Sequence, residues 1–367
     1  IDELARQGVL YSNMHSMPLS CPSRVQAMTG DYNDRNYVNF GYINDDEHTF
    51  AQLAQTAGYS TAMVGKWQLG RSREIPGKLG FDEWCLNQLE MYKEFAPGTM
   101  GKYTDRYANS YIDNNGRYDL SLYGPDAFQN YCYDFIDRMV ASGKPFLLYY
   151  NTPLVHTPHT PTPDSESWDL DYAGRFIGDA KNFPDMVAYL DKQVGQLVNH
   201  LKTAGIWDNT ILIFTADNGT STRIVSELAD GTKVRGGKGT PLHTGTHVPL
   251  IITWGDKIEK GRVCNRLVDL TDFMPTFADA MQVQIPAEWY PDGVSLYPEL
   301  VGDTPLEKKL ILCHFNPLWP TTPSPLASRF AQTADYKYYW DGRFYNVSND
   351  LNEENPLDVS HLSEEVQ

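Results

Sequence analysis

The chain is short of cysteine and of basic residues. Its 367 residues include five cysteines, an odd number, and none of them forms a Cys-x-x-Cys pair. A cysteine-based zinc site and a dense disulfide framework are therefore not expected. Lysine and arginine number 30 against 47 aspartate and glutamate residues, which gives a formal net charge of −17 at pH 7. Nucleic acids and acidic membrane surfaces are held mainly by basic side chains, so we expect neither as a partner.

Long hydrophobic runs are also missing. No apolar run approaches the roughly 20 residues that span a bilayer, and no basic start precedes an apolar stretch as in a signal peptide. We therefore expect no membrane insertion, and a signal peptide that had been removed would leave the same sequence. Hydrophobic residues make up 41% and charged residues 21% of the chain. This composition is typical of a folded protein with a substantial core.

Short apolar runs alternate with helical segments that end at glycine. This order is typical of βαβ folds, which place their sites at strand ends. We expect strands at residues 9–14, 60–64, 145–150, 210–215 and 248–254, of which 145–150 and 210–215 have the composition of buried strands. We expect helices at residues 1–7, 50–57, 184–204 and 267–280, the last interrupted by Pro275. Residues 71–140 are turn-rich and are expected to form long excursions.

The composition changes near residue 303. Short strands are expected around residues 309–313, 337–340 and 343–345, which predicts a small C-terminal antiparallel α+β domain. The predicted fold class is α/β, with a large mixed, mostly parallel central sheet flanked by helices. The predicted domains are residues 1–302, a large α/β domain, and residues 303–367, the antiparallel-sheet domain.

A proline-containing stretch that runs from residue 18 to Gly30 is the strongest local signal. Pro22 near its start and Gly30 at its end predict a short helix, with Ser20 at the helix entrance. Backbone N–H groups at such an entrance favour a bound anion, and Arg24 adds a positive charge one turn later. A hydroxyl in this setting suits attack on a phosphate or sulfate ester. The alternative is that Ser20 is an ordinary N-capping serine.

Other predicted strands also end in loops that carry polar side chains, namely Lys66, His156, Asp217 with Asn218, and Lys238. Loops at the carboxyl ends of strands in one sheet can bring distant residues together. Asp217 and Asn218 offer oxygen ligands for a hard cation such as calcium or magnesium, and an Asx turn is the alternative explanation.

The ordered motifs resemble those of the type I sulfatases, which belong to the alkaline-phosphatase superfamily. They are Ser-x-Pro-Ser-Arg from Ser20, Gly-Lys-Trp-x-Leu-Gly around Lys66, a His-Thr-Pro loop at His156, Asp-Asn-Gly from Asp217, and Gly-Gly-Lys-Gly-Thr around Lys238. The resemblance extends from residue 1 to about residue 300. A Tyr-Lys-Tyr sequence at residues 336–338 also looks like the C-terminal part of that family.

The resemblance implies a chemical role for each of these residues. Ser20 would be oxidised to formylglycine by a maturation enzyme, and the aldehyde hydrate would attack sulfur. Arg24, Lys66 and Lys238 would hold the anionic oxygens, and His156 would protonate the leaving oxygen. The implied metal ligands are Ser20, Asp217 and Asn218, which usually bind calcium and less often magnesium. No other cofactor-binding residue is implied.

The sequence departs from the family pattern in two ways. The family's first strand, with its two aspartate metal ligands, is expected before Ile1. Gln68 occupies a position where the family carries histidine, and glutamine cannot act as a base. Candidates for the missing base are His15, His159, His243 and His247. Gln68, His159, His243 and His247 are also candidates for substrate contacts, and a structural role is the alternative for each histidine. The sequence is compatible with a native Ser20, converted or not, and with a cysteine-to-serine change.

The leading functional expectation is hydrolysis of sulfate esters on a polysaccharide or oligosaccharide. The 23 tyrosines and eight tryptophans suit stacking on sugar rings, although large cores also use aromatic residues. Residues 156–165 are similar to a stretch of bacterial polysaccharide sulfatases. The expected partners are a sulfated carbohydrate and a formylglycine-generating enzyme, and the expected location is periplasmic or secreted. The alternatives are a phosphodiester or phosphonate monoester hydrolase and a catalytically disabled binder of sulfated glycans.

Overall fold

A computed structural model describes most of the chain, namely residues 1–37, 39–70, 72–87, 106–107, 111–115, 117–119, 123–169, 178–302, 304, 308–316 and 327–362. Its helices are α1 Asp2–Arg6, α2 Ser20–Thr29, α3 Asn33–Asn36, α4 Phe50–Thr56, α5 Ile75–Lys78, α6 Gly124–Ser142, α7 Phe183–Thr203, α8 His243–Thr246, α9 Phe273–Met281 and α10 Tyr297–Val301. Its strands are β1 Val9–His15, β2 Ser60–Lys66, β3 Glu83–Asn87, β4 Tyr111–Asp113, β5 Arg117–Asp119, β6 Phe146–Asn151, β7 Leu212–Thr215, β8 Val225–Glu227, β9 Lys233–Arg235, β10 His247–Thr253, β11 Arg262–Asp269, β12 Ile311–Phe315, β13 Ser328–Gln332, β14 Tyr336–Tyr339 and β15 Phe344–Asn346.

The chain divides into two compact units. Unit 1 contains Ile1, Gly41–Thr210 and Met281–Val283, and unit 2 contains Asp2–Phe40, Ile211–Ala280 and Gln284–Gln367. Each unit contains a mixed sheet that positions a part of the predicted site.

In unit 1, a five-stranded sheet has the order β5-β4-β3-β2-β6. Strand β2 lies parallel to both β3 and β6, and Gly65 is paired with Asn151. The carboxyl ends of β2 and β6 therefore lie side by side, and the loops that carry Lys66 and His156 leave the same edge of this sheet. Strand β6 is half-buried rather than fully buried as expected, since it is the outermost strand in this order.

Helix α6 shows that the expectation of a purely turn-rich segment at residues 71–140 was wrong. The helix spans 19 residues, begins near Pro125 and ends at Gly143, which has a φ of 66°. Its buried side chains include Phe128, Cys132 and Phe135, which recur at three- and four-residue steps. Strand β3 also lies in this range, and residues 88–105 fall outside the described part of the chain.

In unit 2, a four-stranded sheet has the order β11-β1-β10-β7. Strand β1 lies parallel to β11 and antiparallel to β10, and β10 lies antiparallel to β7. Fully buried apolar side chains such as Val9, Met14, Leu250 and Val268 form its core. Strand β7 is the outermost strand in the order and is half-buried, although a fully buried strand was expected.

The helix expected at residues 267–280 begins later, because residues up to Asp269 belong to β11. The Asp269 side chain accepts a hydrogen bond from the Thr271 backbone N–H at 2.9 Å and starts a short 3-10 turn instead. Pro275 does not interrupt a helix, since it lies in the first turn of α9. Backbone N–H groups in the first turn have no acceptor within the helix, so the missing N–H of proline removes no hydrogen bond.

The C-terminal residues form a four-stranded antiparallel sheet with the order β12-β13-β14-β15. Strand β13 was not predicted from the sequence. The expected α/β class with a C-terminal antiparallel sheet is confirmed, while the domain boundary between residues 302 and 303 stays a prediction. In the described part of the chain, no helix combines the length and apolar character needed to cross a bilayer. The five cysteines are buried and unbridged.

Candidate active site

The entrance of α2 places Ser20 against Arg24. Both side chains are buried, with about 3% of each residue exposed. The Nε of Arg24 donates a hydrogen bond to the Oγ of Ser20 at 3.1 Å. Residues four apart lie on the same face of a helix, so one helical turn is enough to create this contact.

Ser20 is not the N-cap of this helix. Leu19 occupies the cap position, and Ser20 is the first helical residue. The loop before the helix is fastened by Ser23, whose hydroxyl accepts from the Met17 backbone N–H at 3.0 Å and lies 2.9 Å from the Leu19 carbonyl oxygen. The capping interpretation of Ser20 was therefore wrong, and its hydroxyl is held by a guanidinium instead.

The loop that carries Lys238 is fixed through its backbone. The N–H of Lys238 donates to the Thr220 carbonyl at 3.0 Å, and the N–H of Gly239 donates to the Pro18 carbonyl at 2.8 Å. Gly239 has a φ of 84°, a conformation that glycine adopts without strain. These contacts place the backbone of Lys238 beside the loop that leads into Ser20.

Asp217 and Asn218 follow β7 and also lie in unit 2. The Oδ2 of Asp217 is 4.0 Å from the Nε of Arg24, at the outer limit of an ion pair. The Nδ2 of Asn218 donates to the Gly219 carbonyl at 2.9 Å, while its Oδ1 is buried and has no hydrogen-bond partner in the described part of the chain. An orphaned buried oxygen beside a carboxylate matches the donor chemistry that calcium prefers.

The described residues do not by themselves supply a full set of metal ligands. They contain no group of three or more histidine, cysteine, aspartate or glutamate side chains arranged to hold a metal ion. Asp217 and Asn218 therefore fit a hard cation as two of its ligands, and Ser20 stays a predicted ligand.

In unit 1, Lys66 is the last residue of β2 and is 4% exposed. Gly65 before it has a φ of 94°, and a Cβ at this position would lie 2.1 Å from the Asn151 carbonyl oxygen. The close approach of two strands thus requires glycine immediately before Lys66. Gln68 is buried and has a φ of 51°, which is unusual for a residue with a side chain.

His156 lies in the loop after β6 and contacts a residue that the sequence did not reveal. The Nη1 of Arg106 is 2.7 Å from the Nδ1 of His156 and donates to the Thr157 carbonyl at 2.7 Å. The Tyr107 hydroxyl also donates to the Pro153 carbonyl of the same loop at 2.7 Å. Arg106 lies in a segment with no recognisable motif, so only the tertiary structure identifies it.

His159 also lies in unit 1 and is buried, with 3% of the residue exposed. Its backbone carbonyl accepts from the N–H of Asp179 at 2.9 Å and from the Nδ2 of Asn182 at 3.0 Å. Its ring meets the edge of Phe183. These contacts favour a packing role for His159, and a substrate contact stays a prediction.

The remaining candidate histidines, His15, His243 and His247, form a cluster in unit 2. The rings of His243 and His247 stack at 4.4 Å, and the buried ring of His15 meets each of them edge-on at 5.7 Å. Burial, followed by the neighbouring His247, lowers the pKa of His243 to about 4. Burial and the two other histidines also hold the pKa of His15 well below its usual range. His15 and His243 are thus uncharged near neutral pH, and a role of the cluster in substrate binding stays a prediction.

A comparison with known protein families identifies the chain. The sulfatase family model matches residues 1–283. The chain belongs to the sulfatase family. N-acetylgalactosamine-6-sulfatase from Canis lupus familiaris is 29% identical to this sulfatase-family chain over 333 residues, which are 82% of this chain and 61% of that relative. The chain spans about three fifths of the length of the curated relatives that it matches.

Solved structures share the fold of this sulfatase-family chain. The crystal structure of Ps i-CgsB in complex with k-i-k-neocarrahexaose has a TM-score of 0.75 and 24% identity, and covers 98% of this chain and 82% of its own. The structure of BT4656 in complex with its substrate D-glucosamine-2-N,6-O-disulfate has a TM-score of 0.74 and 21% identity, and covers 97% of this chain and 87% of its own. Identity at this level shows the shared fold.

Proposed function

We propose that the protein hydrolyses sulfate esters on a carbohydrate. The observation that carries the proposal is the buried Ser20–Arg24 pair at the start of α2, with Asp217 next to it, in a chain of the sulfatase family. A buried guanidinium that already holds the oxygen of residue 20 suits a site in which that oxygen approaches an anionic ester.

Residues of unit 2 provide the anion-binding part of this proposal. Arg24 holds and orients the oxygen at position 20, and Lys238 binds sulfate oxygens as negative charge develops. The backbone hydrogen bonds of the Lys238 loop support this role, because they hold its main chain beside the loop that leads into Ser20. Formylglycine at position 20, when present, supplies a hydrated aldehyde as the nucleophile. Calcium, when bound by Asp217 and Asn218, supplies positive charge near that group.

Residues of unit 1 provide the proposed proton donor. His156 gives a proton to the leaving oxygen of the sugar, and Lys66 binds a sulfate oxygen. The placement of both residues at one edge of the unit 1 sheet and the resemblance to the family support these roles. The Thr157 carbonyl lies 2.7 Å from both the Nδ1 of His156 and the Nη1 of Arg106, so it can accept from Nδ1–H of the protonated ring while Arg106 holds the carbonyl in place. The protonated His156 then gives its Nε2 proton to the leaving oxygen and becomes neutral.

The proposed substrate is a sulfated polysaccharide or oligosaccharide. The support comes from the two solved relatives, which were crystallised with a neocarrahexaose and with a disulfated glucosamine. We also propose that the protein acts in the periplasm or outside the cell, where such polymers occur. Fractionation of the native cells checks the location.

Release of free sulfate tests the proposal. The purified protein, coexpressed with a formylglycine-generating enzyme, is incubated with a panel of sulfated oligosaccharides and with aryl sulfates. We expect release from at least one oligosaccharide and a loss of at least 100-fold in kcat for Lys238→Met. Lys233→Met, an exposed lysine of the neighbouring strand β9, is the matched control and retains activity. Release from aryl esters alone contradicts the carbohydrate assignment.

The mass of the peptide that contains Ser20 tests the modification. Loss of two hydrogens indicates formylglycine, and Ser20→Ala is the control that cannot be converted. An unmodified serine in every preparation contradicts the catalytic proposal and favours the sulfated-glycan binder.

Calcium binding is measured separately by the rise in melting temperature on titration with calcium and with magnesium. Binding to the folded state raises stability in proportion to the logarithm of ligand concentration. We expect a larger rise with calcium and a smaller one for Asn218→Ala.

A further inference from the structure

The outward side of the C-terminal sheet exposes large apolar side chains. Trp340 is 81% exposed, Tyr338 49% and Leu312 43%. Scattered exposed apolar residues are ordinary, whereas several on one face of one sheet mark a binding surface. We name as the outer aromatic face the side chains of Leu312, Arg329, Ala331, Tyr338 and Trp340.

Strand register places these five side chains in two neighbouring rows. Leu312 pairs with Ala331, and Ala331 pairs with Tyr338. In the next row, the N–H of Trp340 donates to the Arg329 carbonyl at 3.0 Å. Since strands lie about 4.8 Å apart, Leu312 and Tyr338 stand roughly 10 Å apart across the small Ala331. In the second row, the half-buried His314 pairs with Arg329, so an apolar row of Leu312, Ala331 and Tyr338 lies beside a row of His314, Arg329 and Trp340.

The opposite side of the same sheet already forms the core. Its buried side chains include Cys313, Phe315, Phe330 and Tyr339, which pack together. On the outer side, Tyr338 meets the edge of the buried Phe344, whereas Trp340 is largely exposed and contributes little to the core. A ligand that stacks on aromatic rings accounts for a tryptophan at this position.

Charge indicates which ligand this is. Arg329 is exposed on the same face and forms no ion pair with any carboxylate in the described part of the chain. Exposed arginines elsewhere in the chain, such as Arg138 and Arg343, are paired with carboxylates, whereas Arg329 lies beside the exposed Tyr338 and Trp340. Aromatic rings beside an unpaired guanidinium suit a sugar chain that carries anionic groups.

We propose that the outer aromatic face is a non-catalytic binding surface for a sulfated polysaccharide chain. Tyr338 and Trp340 stack on sugar rings, and Arg329 contacts a sulfate group. The surface keeps the protein on its polymer between reactions. The choice of a sulfated glycan as the ligand rests on the proposed function. Binding to this face requires no catalysis.

Binding is tested in a Ser20→Ala background, which removes any hydrolysis. The probes are a sulfated galactan and its chemically desulfated form, and affinity is measured by gel electrophoresis in polysaccharide-containing gels. We expect the change of Tyr338 and Trp340 to alanine to weaken binding to both polymers, about tenfold for each side chain. We expect Arg329→Gln to weaken binding to the sulfated polymer only. Tyr290→Ala, an exposed tyrosine elsewhere in unit 2, is the matched control.

Two further measurements separate the outcomes. In protein that keeps Ser20 and is coexpressed with the formylglycine-generating enzyme, the double alanine variant is expected to retain sulfate release from a small sulfated sugar and to lose efficiency on the polymer. Unchanged polymer affinity of that variant overturns the proposal, whether or not the protein proves to be a sulfatase. A concentration-dependent dimer that the same substitutions abolish in sedimentation velocity also overturns it, because the face then binds a second copy.

Discussion

The histidine cluster of unit 2 predicts a specific loss of stability in acid. The pKa of His243 is lowered to about 4, mainly by burial and then by His247, with a smaller contribution from Lys337. The free histidine side chain titrates near 6.5. As the pH falls, the unfolded chain therefore binds a proton before the folded chain does, and protonation favours unfolding. Stability is lost between about pH 6.5 and pH 4 and levels off below that.

The magnitude follows from the size of the shift. A difference of about 2.5 pH units at about 1.4 kcal/mol per unit gives about 3.5 kcal/mol as the upper limit for His243. His15 adds a loss in the same direction, since its pKa also lies below the usual value. The groups that face the cluster from the C-terminal sheet are Lys337 and Gln332. Lys337 is paired with the buried Glu353 carboxylate at 2.7 Å.

Urea unfolding at a series of pH values from 7.5 to 4.0 tests this prediction. We expect the unfolding free energy of His243→Gln to fall by about 2–3 kcal/mol less than that of the unchanged protein over this range. Titratable groups outside the cluster cancel in the comparison. His15 does not, because the loss of His243 raises its pKa towards the usual value, and this adds to the difference in the same direction. His361→Gln, an exposed histidine, is the control and follows the unchanged protein. Parallel pH profiles for His243→Gln and the unchanged protein would refute the reasoning.

Three further substitutions test other parts of the structure. In thermal unfolding, Gly65→Ala is expected to cost several kcal/mol of stability, because the new Cβ would meet a carbonyl oxygen at 2.1 Å. The control is Gly58→Ala, which has a similar φ of 83° but nothing within 4 Å of the new Cβ. It should cost about 1 kcal/mol in the same assay. Lys308→Met leaves two buried aspartates that now lie 2.7 and 2.8 Å from its Nζ without a cation, and we expect a loss of about 3–5 kcal/mol in urea unfolding. Arg106→Met is expected to reduce kcat for sulfate release about 10- to 100-fold with little change in melting temperature, and an unchanged kcat would remove Arg106 from the positioning of His156.

Local chemistry in the sequence predicted the start of the candidate site well. The Ser20 and Arg24 contact depends only on a four-residue spacing within one helix, and the ends of that helix carry their own signals in Pro22 and Gly30. The strands at β2 and β10 were likewise predicted from continuous apolar runs. Such features are set by residues close together in the chain.

Features that depend on distant residues were not predicted. Arg106 contacts His156 across 50 residues, and no local pattern in its segment indicates this. Helix α6 was missed because its exposed and half-buried positions carry residues such as Asp126, Asn130 and Tyr133, a composition that favours a turn-rich interpretation of the segment. The half-buried state of β7 depends on its place in the sheet order, which a strand's own composition does not encode.

The hydrogen bonds that hold the Lys238 loop have a consequence for the substitutions that the loop can tolerate. Its two anchoring bonds join amide hydrogens at residues 238 and 239 to carbonyl oxygens at residues 220 and 18. Main-chain groups are the same in every residue except for the missing N–H of proline. Substitutions at positions 18 and 220 therefore leave both bonds in place, because every residue, proline included, keeps its carbonyl oxygen. The position of the main chain at residue 238 thus does not depend on the side chains at these two positions.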